Sequence, residues 1–234
     1  MTQFESLFSE IRDRNHHCTV YRQDEDRDIE ERFATRNVSI EYRPLPAGGP
    51  DPFLVLRKHG EFAGTIGLQQ LDRLLEPPIV RSEVDDGISE GYRALFELLD
   101  DTVFTAMDRR QLLAVSREIE DRAFRIGNGT LHVAFQTLSL FESQVDVYRQ
   151  LATIDLDIHV HGAADWTPPE IGGVSYHTDT DDRLGQHWIL AFDGGRNDTH
   201  ACGLLARQQT ETYDGFWTDD TEIVAKLITN LPEV

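Results

Sequence analysis

The sequence predicts an α/β fold, with α+β as the alternative. It reads as two related strand–helix–strand–hairpin–helix units, joined by central helices and carrying mixed sheets. Three observations predict this. Leu112, Val115, Ile119, Ala123 and Ile126 recur three or four residues apart, which makes one apolar helix face. Leu131, Val133 and Phe135 then alternate with His132, Ala134 and Gln136, the period of a strand. Residues 18–75 and 130–231 also run through the same order of expected elements, without evident identity between them.

Taken in order, Gln3 to Arg12 presents Phe4, Leu7 and Ile11 on one face of a short helix. His16-His17 reads as a loop pair and Cys18 to Tyr21 as a strand. A helix over Ile29–Thr35 and an alternating strand over Val38–Tyr42 follow. Six Pro and Gly residues between Pro44 and Pro52 make a loop. Phe53–Arg57 and Phe62–Ile66 form a hairpin turning at Lys58-His59-Gly60-Glu61. A helix over Leu68–Leu75 is stopped by Pro77-Pro78. The irregular acidic stretch Ile79–Ser89 is the best interdomain link, and Glu90–Thr105 reads as helical. Gly127-Asn128-Gly129 stops the central helix, because Gly and Asn tolerate a left-handed cap. A second helix carries Leu138, Phe141, Val145, Tyr148 and Ala152. Leu156, Ile158 and Val160 alternate as a strand, Val174–His177 is a shorter one, and the apolar run His187–Phe192 reads as a central strand buried on both faces. Ala201–Ala206 pairs back, and Gly215-Phe216-Trp217-Thr218 leads into a last helix, Asp220–Leu231, capped by Asp220 or Thr221. The division expected is an N-terminal α/β unit over 1–78, a link with central helices over 79–126, and a C-terminal sheet unit over 127–234.

The 234 residues suffice to bury a sizeable core. Hydrophobic residues make up 39%, and the mean hydropathy is -0.42, as in a soluble, folded chain. No run approaches the ~20 apolar residues of a membrane span, and MTQFESLFSEIRDR has no secretory character. These readings place the chain in the cytoplasm. Forty-two acidic residues against 22 basic ones give a net charge of -20. The lysines are Lys58 and Lys226. That balance points to the salt-rich cytoplasm of a halophile. It disfavours direct DNA or RNA binding, which needs a basic stripe, and anionic membrane surfaces likewise. Cys18 and Cys202 read as two buried thiols of a reducing compartment.

Five segments of the C-terminal half carry a family resemblance. They are Ser116-Arg117-Glu118-Ile119-Glu120-Asp121, His132-Val133-Ala134-Phe135-Gln136, Val147-Tyr148-Arg149-Gln150-Leu151-Ala152, Gln186-His187-Trp188-Ile189-Leu190-Ala191 and Tyr213-Asp214-Gly215-Phe216-Trp217-Thr218. In this order they resemble the DICT domain, a sensory domain named for diguanylate cyclases and two-component systems, over about residues 90–234. The part through about Pro78 is similar to the extension of stand-alone archaeal members. The resemblance implies an intracellular signal-input module coupled to kinases, cyclic-dinucleotide enzymes or transcription regulators. It carries over no catalytic residue. No kinase, GGDEF, EAL or helix-turn-helix segment is recognised beside it, so the expected output passes through a separate protein.

Three constellations stand out. Ser116 and Glu120 share a helix face and, with Asp121, suit a polar ligand group beside the strand end at Gln136. Against this stands a plain helix surface with Glu120 bonded to Arg117 or Arg122. Phe135, Trp188, Phe216 and Trp217 suit a flat ligand, against ordinary core packing. For Phe135 and Trp188 core packing is the favoured reading; for Phe216-Trp217 it is favoured less strongly, because they follow a Gly and open a helix whose free N–H groups suit an anion. His159 and His161 face one way on a strand, with His132 beside them, a weak metal set against satisfied or surface histidines. Neither a cofactor nor a resident metal is expected, and no nucleophile elbow or phosphate loop is present. The function expected is a non-catalytic sensory or regulatory module that binds a small ligand or a signalling protein such as a histidine kinase or transcription regulator. The alternatives are an enzyme using Glu120, Asp121 and the histidines, and a scaffold subunit of a kinase or transcription regulator.

Overall fold

In the computed structural model the chain is described for residues 3–14, 16–23, 38–58, 60–69, 100–101, 103–180 and 183–232. The elements run α1 (Gln3–Arg12), β1 (His16–Arg22), β2 (Val38–Pro44), β3 (Phe53–Lys58), β4 (Glu61–Gly67), β5 (Val103–Met107) and α2 (Arg109–Ile126). They continue with β6 (Asn128–Thr137), a 3₁₀ segment (Leu138–Gln144), α3 (Val145–Leu151), β7 (Asp155–Ala163), β8 (Val174–Thr178) and β9 (His187–Phe192). A 3₁₀ turn (Asp198–His200), β10 (Cys202–Gln208), β11 (Tyr213–Thr218) and α4 (Thr221–Thr229) complete the set. The expected helix over 29–35, most of the one over 68–75, and the link over 79–89 lie outside the described residues.

Two mixed sheets result, in keeping with the α/β fold expected. The smaller has the order β2-β1-β3-β4, and the larger β5-β11-β10-β9-β6-β7-β8. In the smaller, β1 runs parallel to β2 and antiparallel to β3, which pairs antiparallel with β4. In the larger, β6 runs parallel to β7 and antiparallel to β9, which pairs antiparallel with β10. The run β2-β1-β3-β4 therefore has the connectivity of β7-β6-β9-β10. The larger sheet adds β8, parallel on the outer side of β7, and β11 with β5 on the other flank.

Each face of the larger sheet has its own helices, because side chains along its strands alternate between the two faces. Leu131, Val133, Phe135, Ile158, Val160, Trp188, Leu190, Phe192, Leu204 and Trp217 join a core with Leu112, Val115, Ile119 and Ala123 of α2 and Tyr148 of α3. Cys18, Val20, Leu54 and Leu56 of the smaller sheet belong to the same core. Ala134, Ile189, Ala191, Leu205 and Phe216 point the other way, into Phe4, Leu7, Phe8 and Ile11 of α1 and Ile223, Val224 and Leu227 of α4. All six residues of β9 are buried, as its unbroken apolar run foretold. Thus α1 opens the chain but packs on the larger sheet, while β5 precedes α2 and pairs with β11.

The helix ends follow the chemistry of their caps. Asp108 Oδ1 accepts from Gln111 N at 2.7 Å and Gln111 Oε1 accepts from Asp108 N at 3.1 Å, a reciprocal capping box at the start of α2. Gly127 closes the helix in the left-handed region at φ +76°, donating to Ala123 O at 2.9 Å. Asp220 caps α4 by accepting from Glu222 N and Ile223 N. Asp101, a non-glycine residue at φ +58°, is held on several sides. Its N–H donates to Trp217 O, Arg14 Nη1 donates to its carboxylate at 3.0 Å, and Thr218 Oγ1 donates to it as well. Arg14 also reaches Asp220 at 2.8 Å.

The structure corrects three sequence expectations. Of the helix expected over Glu90–Thr105, residues 90–99 lie outside the described residues and Val103–Thr105 belong to a strand, whose β-branched and aromatic start suits a pleated edge beside β11. Phe216-Trp217 lie inside a strand, and the helix begins only at Thr221. His16-His17 belong to β1, in register with Val38 and Ser39. The thiols of Cys18 and Cys202 are free and buried, and burial pushes the Cys202 thiol up to about 12. No described helix is long and apolar enough to cross a membrane.

Gly215 faces Phe104 across the β5–β11 pair, where an added Cβ would fall on the Leu205 carbonyl oxygen and the Phe104 ring. Gly215→Ala is expected to lower stability by about 1–3 kcal/mol through overpacking. Gly67→Ala, whose Cβ meets nothing within 4 Å, should change it little. Urea midpoints of the two variants make the comparison.

Candidate functional site

The candidate residues fall into three places. The first is the middle of α2. This helix is buried around most of its circumference, including Ser116, Glu118, Glu120 and Asp121. Ionised side chains there must be answered inside the protein. Arg117 donates through Nη1 to Glu120 Oε2 and through Nη2 to Gln144 Oε1. The Tyr148 hydroxyl donates to the other Glu120 oxygen at 3.1 Å. Burial, and then the Glu120 carboxylate, hold that phenol well above its ordinary value. Arg125 reaches the fully buried Glu118 at 3.3 Å, and Arg122 reaches Asp219 at 2.8 Å. Ser116 donates to Leu112 O within its own helix. The face shared by Ser116 and Glu120 is thus a polar joint between α2 and the Leu138–Leu151 segment. Glu120 does bond Arg117, one of the two arginines the sequence offered. Tyr148 and Gln144, 28 and 27 residues from their partners, carry no local signal.

The second place is the aromatic set. Phe135 packs 5.5 Å from Trp188 and 6.3 Å from Phe141, and Trp217 lies 5.8 Å from Phe104. Phe216 meets Phe8 edge-on at 5.6 Å on the opposite face. The sheet divides the four: Phe135, Trp188 and Trp217 belong to the core under α2, Phe216 to the core under α1 and α4. All four are buried. Gln136, at the strand end, donates to Gln186 O and to Gln208 Oε1, both at 3.2 Å.

The third place is a layer of imidazoles on the face turned away from α2. In β6 and β7 the register sets His132 opposite His159, and in β7 and β8 it sets His161 opposite His177. All four rings share that face. His132 stacks on His159 at 4.7 Å and 17°, and His161 on His177 at 4.7 Å and 27°. His132 Nδ1 lies 3.2 Å from His161 Nε2, and His159 Nδ1 lies 2.8 Å from His177 Nε2. Asp157 meets His159 Nε2 at 3.1 Å. Desolvation, followed by the neighbouring rings, lowers His132 to about 4 and His161 to about 3. His177 is lowered for the same reasons. The sequence grouped His132, His159 and His161. It missed His177, which joins only through the β7–β8 pairing. Among the described residues no three His, Cys, Asp or Glu side chains are grouped so as to hold a metal ion, since stacked rings aim their nitrogens at one another. Because β6 and β7 alternate, the sheet separates these histidines from Glu120.

A family model described as DICT, "Sensory domain in DIguanylate Cyclases and Two-component system", matches residues 93–209, half of the 234-residue chain. Four of the five segments singled out in the sequence lie inside the match, and Tyr213–Thr218 lies beyond it. No curated protein matches the chain. Among solved structures, the crystal structure of polyphosphate kinase from Porphyromonas gingivalis aligns with a TM-score of 0.38 and 11% sequence identity, over 99% of this chain and 49% of that one.

The joint on α2 makes a graded forecast. Glu120→Leu strands the Arg117 guanidinium and the Tyr148 hydroxyl, and is expected to lower stability by about 3–5 kcal/mol. Tyr148→Phe removes one neutral donor and should lower it by about 1 kcal/mol. Chemical denaturation of both variants in the same high-salt buffer checks the order.

Proposed function

We propose, from the premise that this chain belongs to the DICT family of sensory domains, that it is a non-catalytic signal-input module. In this reading it binds a small molecule or a signalling protein, such as a histidine kinase or a transcription regulator, in a salt-rich cytoplasm. The observation that carries the reading is the α2 joint. Within the matched region, Arg117, Glu120, Gln144 and Tyr148 are spent on one another inside the protein. A buried, fully engaged polar joint has few discrete arrangements. A ligand or partner that favours one of them shifts α2, and α2 shares its core with both sheets.

The enzyme reading required the carboxylates of α2 and the histidines to converge within hydrogen-bond reach. They occupy opposite faces of one sheet. That arrangement favours the non-catalytic role.

A thermal-shift screen of small molecules, joined to titration with purified histidine kinases and transcription regulators, tests the proposal. The expected outcome is at least one saturable binder, recovered chemically unchanged, that raises the melting temperature of the wild type more than that of Tyr148→Phe. Conversion of a bound compound into product by the purified chain would overturn it.

A further inference from the structure

We propose that the layer of His132, His159, His161 and His177 is a proton-responsive element: closed and neutral at neutral pH, and opened by acidification so that β7 and β8 loosen from the sheet. This names the signal for the sensory reading above and rests on it.

The argument begins with the ring nitrogens. A neutral imidazole carries one N–H, so each N···N contact is satisfied when one ring donates and the other accepts. An imidazolium carries two N–H groups. His161 is fully buried, its Nε2 faces His132, and its Nδ1 has no hydrogen-bond partner among the described residues. A proton arriving on His161 would put a second N–H where nothing accepts it, beside three other imidazoles. His132 is also buried, stacked on His159 and His161. Among the described residues, the charged groups that face the layer are Asp157 on β7 and Asp193 just after β9. Asp193 is engaged elsewhere, accepting from Thr130 N and Gly195 N. Asp157 is largely exposed and touches His159 alone of the four rings. The rings lie within about 5 Å of one another, so a charge on one opposes a charge on the next.

The layer also sits where opening is easiest. β8 is the edge strand, whose one strand neighbour among the described residues is β7, in parallel, and its residues are half-buried or exposed. Parallel edge pairing is slightly weaker per residue than antiparallel pairing. The antiparallel strands β9 and β10 carry none of the four rings. Acid would thus release one flank of the sheet and leave the other.

The sign follows from linkage. Rings that resist protonation in the closed form and accept it in the open form take up protons on opening, so acid favours the open form. Two such rings with ordinary open-state behaviour shift the opening equilibrium by about fiftyfold between pH 6 and pH 5.

Hydrogen exchange followed by mass spectrometry on the whole chain in high salt, corrected for intrinsic pH dependence, reads this directly. Protection of β7 and β8 is expected to fall by about that factor between pH 6 and pH 5, with β9 and β10 unchanged. In His132→Phe/His161→Phe, which keeps stacked rings and removes two proton sites, the fall should vanish. Equal falls in both proteins, or none in the wild type, would overturn the proposal. Nitrogen-15 NMR of the wild-type imidazoles decides the matter even when the double variant does not fold. A transition shared by the four rings and coincident with the loss of protection supports it; four independent titrations near the ordinary value refute it. The measurement uses the chain alone, so a negative result here leaves the ligand and partner screen to stand or fall separately.

Discussion

A helix buried on nearly every side must neutralise its own charges, and α2 is that helix. Glu118, Glu120 and Asp121 are all at least nine-tenths enclosed, and leaving one such carboxylate unanswered costs several kcal/mol. The answers fix the neighbourhood. Arg117, through Gln144, and Tyr148, through Glu120, tie the helix to the segment that follows β6, Arg122 ties it to Asp219 after β11, and Arg125 turns back onto Glu118. Apolar packing of Leu112, Val115, Ile119 and Ala123 places the helix on the sheet. The contacts that leave the helix, Arg117 to Gln144, Glu120 to Tyr148 and Arg122 to Asp219, then set its rotation, because sliding by one residue would part them.

The strand order extends this logic outward. In each sheet a parallel pair is followed by two antiparallel strands, and in the larger one the parallel pair β6–β7 is joined by the 3₁₀ segment and α3 that carry Gln144 and Tyr148. The two faces of β6 and β7 then diverge in chemistry. One is aliphatic and aromatic, and locks α2 and α3. The other carries Ala134, where α1 and α4 approach, and turns to imidazole toward β8. One strand pair therefore serves a fixed joint on one side and a titratable layer on the other.

Much of this was legible in the sequence, and the omissions have physical causes. α2, β6, β7 and β9 announce themselves because their burial follows a helical or strand period, or a continuous apolar run. β11 does not: Gly215 interrupts it, and Phe216 and Trp217 enter different cores, so the pair reads as a cluster before a helix when it is a strand crossing between two layers. β5 failed for a related reason, being short and placed next to text with helical character. The polar site was half-readable. Ser116 and Glu120 share a face by spacing alone, whereas Gln144, Tyr148 and His177 reach their partners only through tertiary pairing. His16 and His17 looked like a loop because polar residues flank them, yet strand β1 buries His16 and bonds its Nε2 to the Asp101 carbonyl at 2.9 Å.

The two cysteines leave a practical opening. Both are fully buried, and at neutral pH the Cys202 thiol holds its proton firmly, so maleimide chemistry, which needs an accessible thiolate, passes them by. A fluorophore or spin label can be attached at a cysteine engineered on an exposed site, such as position 62 on the β3–β4 hairpin or position 140 beside α3. The native thiols need not be removed first, so movements of either sheet can be watched in the otherwise unaltered chain.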